Sequence, residues 1–353
     1  MVGTRPEAIK LAPVAKALTE RGLTPTLVLT GQHPRLDLAQ FGLNGFSAAR
    51  LACAAEEDPH RHVGAVTGAL LPKLDPPPDL LVVQGDTSSA LGAALAGFSA
   101  EVPVAHVEAG LRTYDPLLPW PEEEYRTAID ANSELLFAPT AVAAANLRSE
   151  KVPGDIHVTG NTSIDALLAL EPRQQQQQRH RENRLPRLLV TSHRRESWGE
   201  GLRSIAAALR ELSSEAIVDF VLHPNPGVAQ TMRDALENRP NIHLLQPSEH
   251  RELVERMRGA DMVLSDSGGI QEEAPALGVP LLVLREKTER PEGIAAGTAL
   301  LVGTSSTRIV SEVRRLLNDP AALANMRRRT FPYGDGKAAP RIAAIIEDWL
   351  KTR

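Results

Sequence analysis

The sequence is poor in cysteine, in aromatic residues and in long apolar runs, and each shortage excludes a class of protein. The lone Cys53 rules out an internal disulfide and is typical of a reducing compartment. Aromatic residues make up 3% of the chain, so the core must be aliphatic. No uncharged stretch reaches the roughly 20 apolar residues of a membrane span, and no basic and then apolar leader is present. We therefore expect a soluble, cytoplasmic protein with no membrane partner.

Positive charge and cofactor motifs are also scarce. The formal net charge of −5 argues against nucleic acid as a partner, so any affinity for phosphate must be local. The segment GEGLRS (199–204) lacks the third glycine of the dinucleotide fingerprint, and no P-loop lysine motif is present. No group of histidines and cysteines has zinc spacing. We therefore expect neither a metal nor a cofactor.

Short runs rich in Val and Leu alternate with amphipathic stretches in both halves of the chain. A length of 353 residues is typical of two domains, and apolar strands that alternate with helices predict parallel sheets covered on both faces. The predicted strands cover residues 24–30, 79–85, 102–108, 134–140, 187–193, 217–223, 241–247, 261–267 and 280–286. The predicted helices cover residues 60–74, 87–100, 140–150 and 338–351.

A polar segment separates the two halves. Residues 171–183, EPRQQQQQRHREN, have no apolar face to bury, which predicts a solvated linker. A polyglutamine helix that extends the preceding helix is the alternative. We expect an N-terminal Rossmann-like domain over 1–170, a linker over 171–184 and a second Rossmann-like domain over 185–336.

Three carboxylates occupy positions where open parallel sheets bind ligands. Asp86 and Glu108 each lie just past the carboxyl end of a predicted strand. Asp86 could also cap helix 87–100, whereas Glu108 has no obvious capping role. Glu122 lies in PWPEEEYR (119–126), where acids also suit the start of a helix. These three residues are the candidate catalytic acids.

The string SDSGGIQEEAP (265–275) predicts a phosphate-binding helix start. Ser267, Gly268 and Gly269 follow an apolar strand and would offer free backbone N–H groups, and the glycines carry no Cβ to block a phosphate. Glu273, in the first turns of the same helix, is placed to accept both hydroxyls of a ribose. An ordinary N-capped helix is the alternative, but Arg290, just past the next strand, favours the phosphate interpretation.

Cationic residues mark two further positions. GTRPEAIK (3–10) places Arg5 and Lys10 at a second helix start, although Lys10 could equally face solvent. His193 follows a predicted strand beside Arg194 and Arg195, which makes it a better anion contact than an isolated histidine.

Together these motifs resemble those of the non-hydrolysing UDP-N-acetylglucosamine 2-epimerase family of bacteria. The resemblance runs from residue 3 to about residue 336 and rests on the order and spacing of six strings: GTRPEAIK, GDT (85–87), HVEAGLRT (106–113), PWPEEEYR, HRRES (193–197) and SDSGGIQEEAP. It implies the B-type glycosyltransferase fold, in which two Rossmann-like domains face each other across a cleft and the second holds UDP.

The resemblance implies an isomerase that interconverts UDP-N-acetylglucosamine and UDP-N-acetylmannosamine at C2, without NAD or metal, for cell-surface polysaccharide synthesis. The implied catalytic residues are Asp86, Glu108, Glu122 and His193. The implied UDP contacts are Arg5, Lys10, Ser267, Gly268, Gly269, Glu273 and Arg290. The alternatives are a 2-epimerase of a UDP-2,3-diacetamido uronic acid, a hydrolysing epimerase, a B-type glycosyltransferase and a non-catalytic UDP-sugar-binding regulator. Retention of the three acids and His193 argues against the regulator.

The resemblance also implies a homodimer and a regulatory substrate site. The candidate regulatory residues are Gln32, His33, Arg194 and His223, of which the last opens the family's H-x-N-P turn. The stretch after His33 is shorter than usual in the family, which weakens the case for allosteric activation. Tyr125 stands where the family commonly has Asn.

Both ends of the chain carry expectations from the family. A strand normally precedes the GTRPEAIK turn, but here only Met1, Val2 and Gly3 precede it. Either the chain start is set too late or the first sheet lacks most of a central strand. We favour the first explanation, because losing a buried strand would cost several kcal/mol of a stability of about 5–15 kcal/mol. The helix within 337–353 is expected to pack back on the first domain.

Overall fold

A computed structural model describes residues 1–33, 36–170, 185–192, 194 and 197–353. The chain divides into two compact units. Unit 1 comprises Met1–Ala169 together with Tyr333–Arg353, and unit 2 comprises Leu170–Pro332. The expected linker over 171–184 lies outside the described residues, and so does His193.

Unit 1 is built on parallel strands. Its strands are β1 (Leu27–Leu29), β2 (Ala48–Arg50), β3 (Leu81–Gln84), β4 (Val104–Val107), β5 (Leu135–Ala138) and β6 (Asp155–Val158). Strand β1 pairs with β2, and β3 to β6 pair in chain order. Every residue of β4 and β5 is buried, because helices cover both faces of these strands.

Met1 and Val2 lie between β1 and β3. The Met1 nitrogen donates to Val82 O at 2.8 Å, while Val2 N donates to Val28 O at 2.8 Å. A Cβ added to Gly3 would lie 2.1 Å from Ser89 Oγ. The GTRPEAIK turn therefore packs against the helix start that follows β3.

Unit 2 contains a single parallel sheet among the described residues. Its strands are β7 (Arg187–Thr191), β8 (Ile217–Val221), β9 (Ile242–Leu245), β10 (Met262–Ser265), β11 (Leu281–Val283) and β12 (Ala299–Leu301). The spatial order is β12-β11-β10-β7-β8-β9, which is the Rossmann order. The strand order reverses between β7 and β10, and ligands bind at such a switch point in open parallel sheets.

Helices connect the strands and carry the apolar faces that cover them. In unit 1 they are α1 (Arg5–Glu20), α2 (Pro59–Leu70), α3 (Ser88–Ser99), α4 (Glu122–Asp130), α5 (Ala141–Glu150), α6 (Thr162–Ala169) and, after the return of the chain, α14 (Ala338–Lys351). In unit 2 they are α7 (Glu200–Leu212), α8 (Pro226–Leu236), α9 (His250–Gly259), α10 (Gly268–Leu277), α11 (Glu292–Ala295), α12 (Ser306–Asn318) and α13 (Pro320–Met326). None of the helices within the described ranges is long and apolar enough to cross a membrane.

The last helix packs within unit 1. Helix α14 contacts α1 and α6, and Ile342 and Ile346 join the apolar cluster of α1. Asp165 on α6 accepts hydrogen bonds from Ala338 N at 3.1 Å and Ala339 N at 2.8 Å. This carboxylate satisfies backbone donors that the first turn of a helix leaves without partners.

The predicted α/β class with parallel sheets is confirmed, and so are the nine predicted strands. Sequence patterns missed β2, β6 and β12, which each lie at a sheet edge and carry exposed or half-buried residues. The core is aliphatic, as predicted. In unit 2 it consists mainly of Leu, Val, Ile, Ala and Met, with Phe220 among them.

Candidate active site

The predicted acids of unit 1 lie on sharp turns at strand ends. Asp86 follows Gly85 at the end of β3, and Glu108 directly follows β4. Gly85 has φ +68° and Glu108 has φ +75°. Positive φ suits glycine, but it costs another residue about 1–3 kcal/mol. Surrounding contacts must therefore hold Glu108 in place.

The Glu108 carboxylate is buried in a cluster of donors. Lys10 Nζ donates to its two oxygens at 2.7 and 2.8 Å. Asn161 Nδ2 donates to Oε1 at 3.2 Å, and Gln84 Nε2 donates to Oε2. Lys10 is also buried, so the solvent-facing interpretation of this lysine is wrong. The result is a fixed carboxylate beside a fixed cation at the carboxyl end of β4.

Arg126 joins Asp86 to Glu123. Its Nε donates to Asp86 Oδ2 at 3.0 Å, and its Nη1 donates to Glu123 Oε2 at 2.9 Å. The predicted N-cap role of Asp86 is wrong, because Thr87 caps α3 by accepting from Ala90 N at 3.0 Å. The Asp86 side chain is 25% exposed, so it remains accessible to a ligand.

Helix α4 begins at Glu122, and its acids differ in their surroundings. Glu123 is buried and accepts from Thr113 N at 2.9 Å and Tyr114 N at 2.8 Å, which fixes the preceding loop. Glu122 is half-buried at the first position of the helix. Both acids lie in the first turn, where negative charge stabilises a helix, and Glu123 also fixes the preceding loop.

Tyr125 is buried in the same helix. Its hydroxyl lies 3.2 Å from His60 Nδ1. Burial, together with the nearby carboxylates of Glu124, Asp58 and Glu122, raises the pKa of Tyr125 to about 12. The hydroxyl therefore stays protonated at neutral pH.

A buried polar network lies at the other end of α4. Asp130 accepts from His106 Nδ1 at 2.6 Å, Gly110 N at 3.1 Å and Arg112 Nη1 at 2.7 Å. Arg112 also donates to Glu150 at 2.8 and 2.6 Å. Burial alone would raise the pKa of Asp130, but its interactions with His106 and Arg112 outweigh burial and lower the pKa. Asp130 is therefore an ionised carboxylate in the interior.

The start of α1 is fixed by Glu7. Thr4 and Glu7 form a capping box, and Glu7 also accepts from Gly3 N at 2.9 Å and Thr87 Oγ1 at 2.7 Å. Burial raises the pKa of Glu7 despite these hydrogen bonds. Arg5 Nη2 donates to Gln40 Oε1 at 3.2 Å at the surface of unit 1. Arg5 is half-buried, so part of its guanidinium side chain remains open to solvent.

In unit 2, the glycine-containing start of α10 lies under Arg290. A Cβ on Gly268 would lie 2.8 Å from Arg290 Cζ, so glycine is required for this close approach. Arg290 Nε donates to Glu272 Oε1 at 2.6 Å, and its Nη1 donates to Glu289. In the described structure the Ser267 side chain makes no capping hydrogen bond. Ordinary side-chain capping by Ser267 therefore does not explain this helix start.

Glu273, on the same helix, pairs with His250. Glu273 Oε1 lies 2.7 Å from His250 Nε2, and both side chains are mostly buried. Burial alone would lower the pKa of His250, but the carboxylate of Glu273 outweighs burial and raises it. Sequence analysis did not predict this partner.

The loop after β7 is anchored by Asp266, which follows β10. Asp266 is buried and accepts from Ser192 Oγ at 2.9 Å, Arg194 N at 3.0 Å and Ser197 Oγ at 3.4 Å. Residues on both sides of His193 are therefore fixed to the switch point of the sheet, although His193 itself lies outside the described residues.

The four predicted regulatory residues divide between the two units. Gln32 and His33 belong to unit 1, where Ser89 Oγ donates to Gln32 Oε1 at 2.7 Å. Arg194 and His223 belong to unit 2, where Asn225 N donates to His223 Nδ1 at 2.9 Å. A shared site for these residues stays a prediction.

Sequence analysis missed three polar residues that hold the acids. Gln84 ends β3, Asn161 follows β6, and Arg126 lies one helical turn after Glu122. Asn161 follows the end of a strand, as Asp86 and Glu108 do. The rule that identified those two acids would therefore also have identified Asn161. Gln84 lies inside a predicted strand and Arg126 inside the string PWPEEEYR, but their partners come from other elements.

Comparisons with known proteins place the chain among nucleotide-sugar enzymes. A family model described as UDP-N-acetylglucosamine 2-epimerase matches residues 16–347. A UDP-N-acetylglucosamine 2-epimerase of Salmonella typhimurium is 40% identical, over 98% of this chain and 97% of that protein. A crystal structure of UDP-GlcNAc 2-epimerase from Neisseria meningitidis bound to UDP-GlcNAc is similar with a TM-score of 0.89. It is 38% identical, over 99% of this chain and 98% of that one.

A more distant likeness concerns the fold alone. Acinetobacter baumannii MurG superposes with a TM-score of 0.59 at 13% identity, over 99% of this chain and 98% of that one. The likeness supports the B-type glycosyltransferase fold.

Proposed function

The chain belongs to the UDP-N-acetylglucosamine 2-epimerase family, and we propose that it interconverts UDP-N-acetylglucosamine and UDP-N-acetylmannosamine. The observation that supports this most is the buried Glu108 carboxylate, fixed beside Lys10 at a strand end. A Cβ on Gly85 would lie 3.7 Å from Glu108 Oε2, so the backbone that carries Asp86 adjoins the same carboxylate. The adjacent carboxyl ends of β3 and β4 thus bring Asp86 and Glu108 to the same edge of the sheet.

The chemistry requires carboxylates near the sugar. The C2 proton of the sugar is not next to a carbonyl group, so a base cannot simply remove it. Departure of UDP from C1 creates an oxocarbenium-like centre, which acidifies the C2 proton and which carboxylates stabilise. Loss of that proton gives a 2-acetamidoglucal. Addition of UDP with protonation from the other face then inverts C2, which requires acid–base groups on both faces.

We assign the acid–base and cation-stabilising roles to Asp86, Glu108 and Glu122. Support comes from the fixed position of Glu108 and from the pairing of Asp86 with Arg126, on the helix that Glu122 begins. The assignment leaves open which carboxylate serves which face.

We assign binding and stabilisation of UDP to cationic groups and to the start of α10. Backbone N–H groups at a helix start favour the departing diphosphate. The proposed contacts are Arg5, Lys10, His193, Ser267, Gly268, Gly269, Glu273 and Arg290. In this assignment Glu273 accepts the ribose hydroxyls. Arg290, which lies over Gly268, is adjacent to the helix start.

The comparisons do not favour the alternative functions. Full-length similarity to 2-epimerases at about 40% identity speaks against a glycosyltransferase, a uronic acid epimerase or a silent regulator. We further propose a homodimer in the cytoplasm. Light scattering on the 38.1 kDa chain should then give about twice the monomer mass.

Phosphorus NMR of the purified protein with UDP-N-acetylglucosamine tests the function. We expect the signals of a second UDP-sugar to grow until the two sugars reach equilibrium. Starting from UDP-N-acetylmannosamine should give the same final ratio. Accumulation of free UDP alone would indicate a hydrolysing enzyme, and an unchanged spectrum would contradict the proposal.

A further inference from the structure

We propose that Asp130 is a positioning residue, a buried carboxylate that fixes the backbone turns carrying Asp86 and Glu108. The inference rests on the proposed epimerase function and assigns Asp130 no contact with substrate. Asp130 ends α4, and its side chain is 0% exposed. An ionised side chain in such a place needs partners, and their identity shows what the charge holds together.

The partners of Asp130 bracket Glu108 in the sequence. His106 precedes Glu108 by two residues and binds one Asp130 oxygen, while Gly110 N and Arg112 bind the other. Glu108 adopts φ +75° and Gly110 adopts φ +83°, so the chain turns sharply twice between these anchors. The segment has little room, since a Cβ on Gly110 would lie 2.3 Å from Ala143 O. Asp130 therefore fixes both ends of a strained turn.

The same carboxylate reaches the turn of Asp86 through His106. His106 Nε2 lies 2.9 Å from Gly85 O, the carbonyl that immediately precedes Asp86. Its two ring nitrogens therefore face oxygens of two different elements, Gly85 O and Asp130 Oδ1, and the ring bridges them. The chain Asp130–His106–Gly85 thus sets the distance between the turns after β3 and β4.

The position of Asp130 on α4 completes the argument. The first residue of α4 is Glu122, and Arg126 on the same helix holds the Asp86 side chain. Helix α4 is therefore tied to Asp86 by Arg126 and to the Glu108 turn by Asp130. Sites that position reacting groups within a fraction of an ångström need such support, and a 1 Å displacement can lower the rate by about 10²-fold.

The test is Asp130→Asn, which keeps the shape of the side chain and removes its charge. We expect kcat to fall by about 10²-fold, with KM for UDP-N-acetylglucosamine and the Kd for UDP unchanged, since the main UDP contacts are assigned to unit 2. We also expect a larger fraction of turnovers to end as free UDP and 2-acetamidoglucal, because a displaced acid slows protonation of the intermediate. Unfolded enzyme makes neither the epimerised UDP-sugar nor 2-acetamidoglucal. The fraction of turnovers that end as 2-acetamidoglucal therefore does not depend on how much protein is folded.

Asp165→Asn is the matched control. Asp165 is also a buried carboxylate of unit 1 that accepts two backbone N–H groups, but it fixes α14. We expect it to lower the melting temperature while leaving the product ratio unchanged. If Asp130→Asn does not fold, Arg112→Lys should show a smaller change in the same direction.

The outcomes separate this inference from the function on which it rests. If the wild-type enzyme is active and Asp130→Asn has the same kcat and product ratio as the wild type, only the role of Asp130 is overturned. The same holds for Arg112→Lys if that variant is needed. Equal changes in Asp165→Asn would reduce Asp130 to a stability residue and would also overturn it. A wild-type protein that forms no second UDP-sugar removes both proposals.

Discussion

The buried ion pair between Lys10 and Glu108 predicts that removing either charge alone lowers the free energy of unfolding of unit 1. The side chains of Lys10 and Glu108 are 10% and 4% exposed, and their closest atoms lie 2.7 Å apart. At an effective dielectric constant of about 20, the gross attraction at this distance is about 6 kcal/mol. Asn161 and Gln84 still donate to Glu108 when the lysine is lost, which offsets part of that attraction.

We therefore expect Lys10→Met to destabilise unit 1 by about 3–5 kcal/mol, because it leaves a buried carboxylate without its cation. Glu108→Gln should cost a similar amount, since it leaves a buried ammonium. The double variant carries neither charge and should lose about 2–3 kcal/mol less than the sum of the two single losses. The second substitution should restore part of the stability but none of the activity, because the double variant lacks the proposed acid Glu108.

The assay is denaturant unfolding followed by fluorescence of Trp120 and Trp349, in a Trp198→Phe background that removes the tryptophan of unit 2. Following one unit avoids treating two units as a single transition. Lys351→Met is the matched control, because Lys351 pairs with Glu347 at the surface, where solvent screens the pair, and its loss should change stability far less than Lys10→Met does. Additive losses in the double variant, or a loss for Lys10→Met no larger than the control, would refute the reasoning.

Unit 2 supports three further predictions. Glu273→Ala should weaken UDP binding by about 1.5–3 kcal/mol in calorimetry, and unchanged affinity would remove Glu273 from the site. Gly268→Ala should displace Arg290, because the added Cβ would lie 2.8 Å from Arg290 Cζ, and should lower UDP affinity; unchanged affinity would contradict the crowding argument. The pKa of His250 is raised in the folded state. Its pairing should therefore contribute stability below about pH 6.5 that is lost as pH rises through the raised value. His250→Asn should flatten this part of the pH dependence of the unfolding midpoint, and an unaltered profile would exclude the pair as its source.

The strands that could be predicted from the sequence are mainly those that are buried on both faces of a sheet. Strand β5 (LLFA) is buried along its whole length and reads as a short apolar run, which is typical of a parallel sheet covered on both faces. Strand β2 has three exposed residues and no such run, so local patterns could not identify it. Its pairing with β1 is a tertiary contact.

The site divides in the same way. The positions of Asp86 and Glu108 follow from the rule that ligands bind at the carboxyl ends of parallel strands. Their partners do not follow from it, because Arg126 and Lys10 come from helices far along the chain. The alternative in which Asp86 caps α3 is wrong, because the neighbouring Thr87 caps that helix. Sequence spacing shows where an acid lies, and packing decides what it pairs with.

The measurement that tests the central claim most directly is deuterium incorporation at C2. In deuterated water, elimination and re-addition of UDP replace the C2 proton, so the UDP-sugars recovered from the wild-type reaction should carry deuterium at C2. Glu108→Gln should slow this exchange by about 10²–10⁴-fold while UDP still binds. Product without deuterium at C2, or exchange at the normal rate in Glu108→Gln, would contradict the mechanism and the role assigned to Glu108.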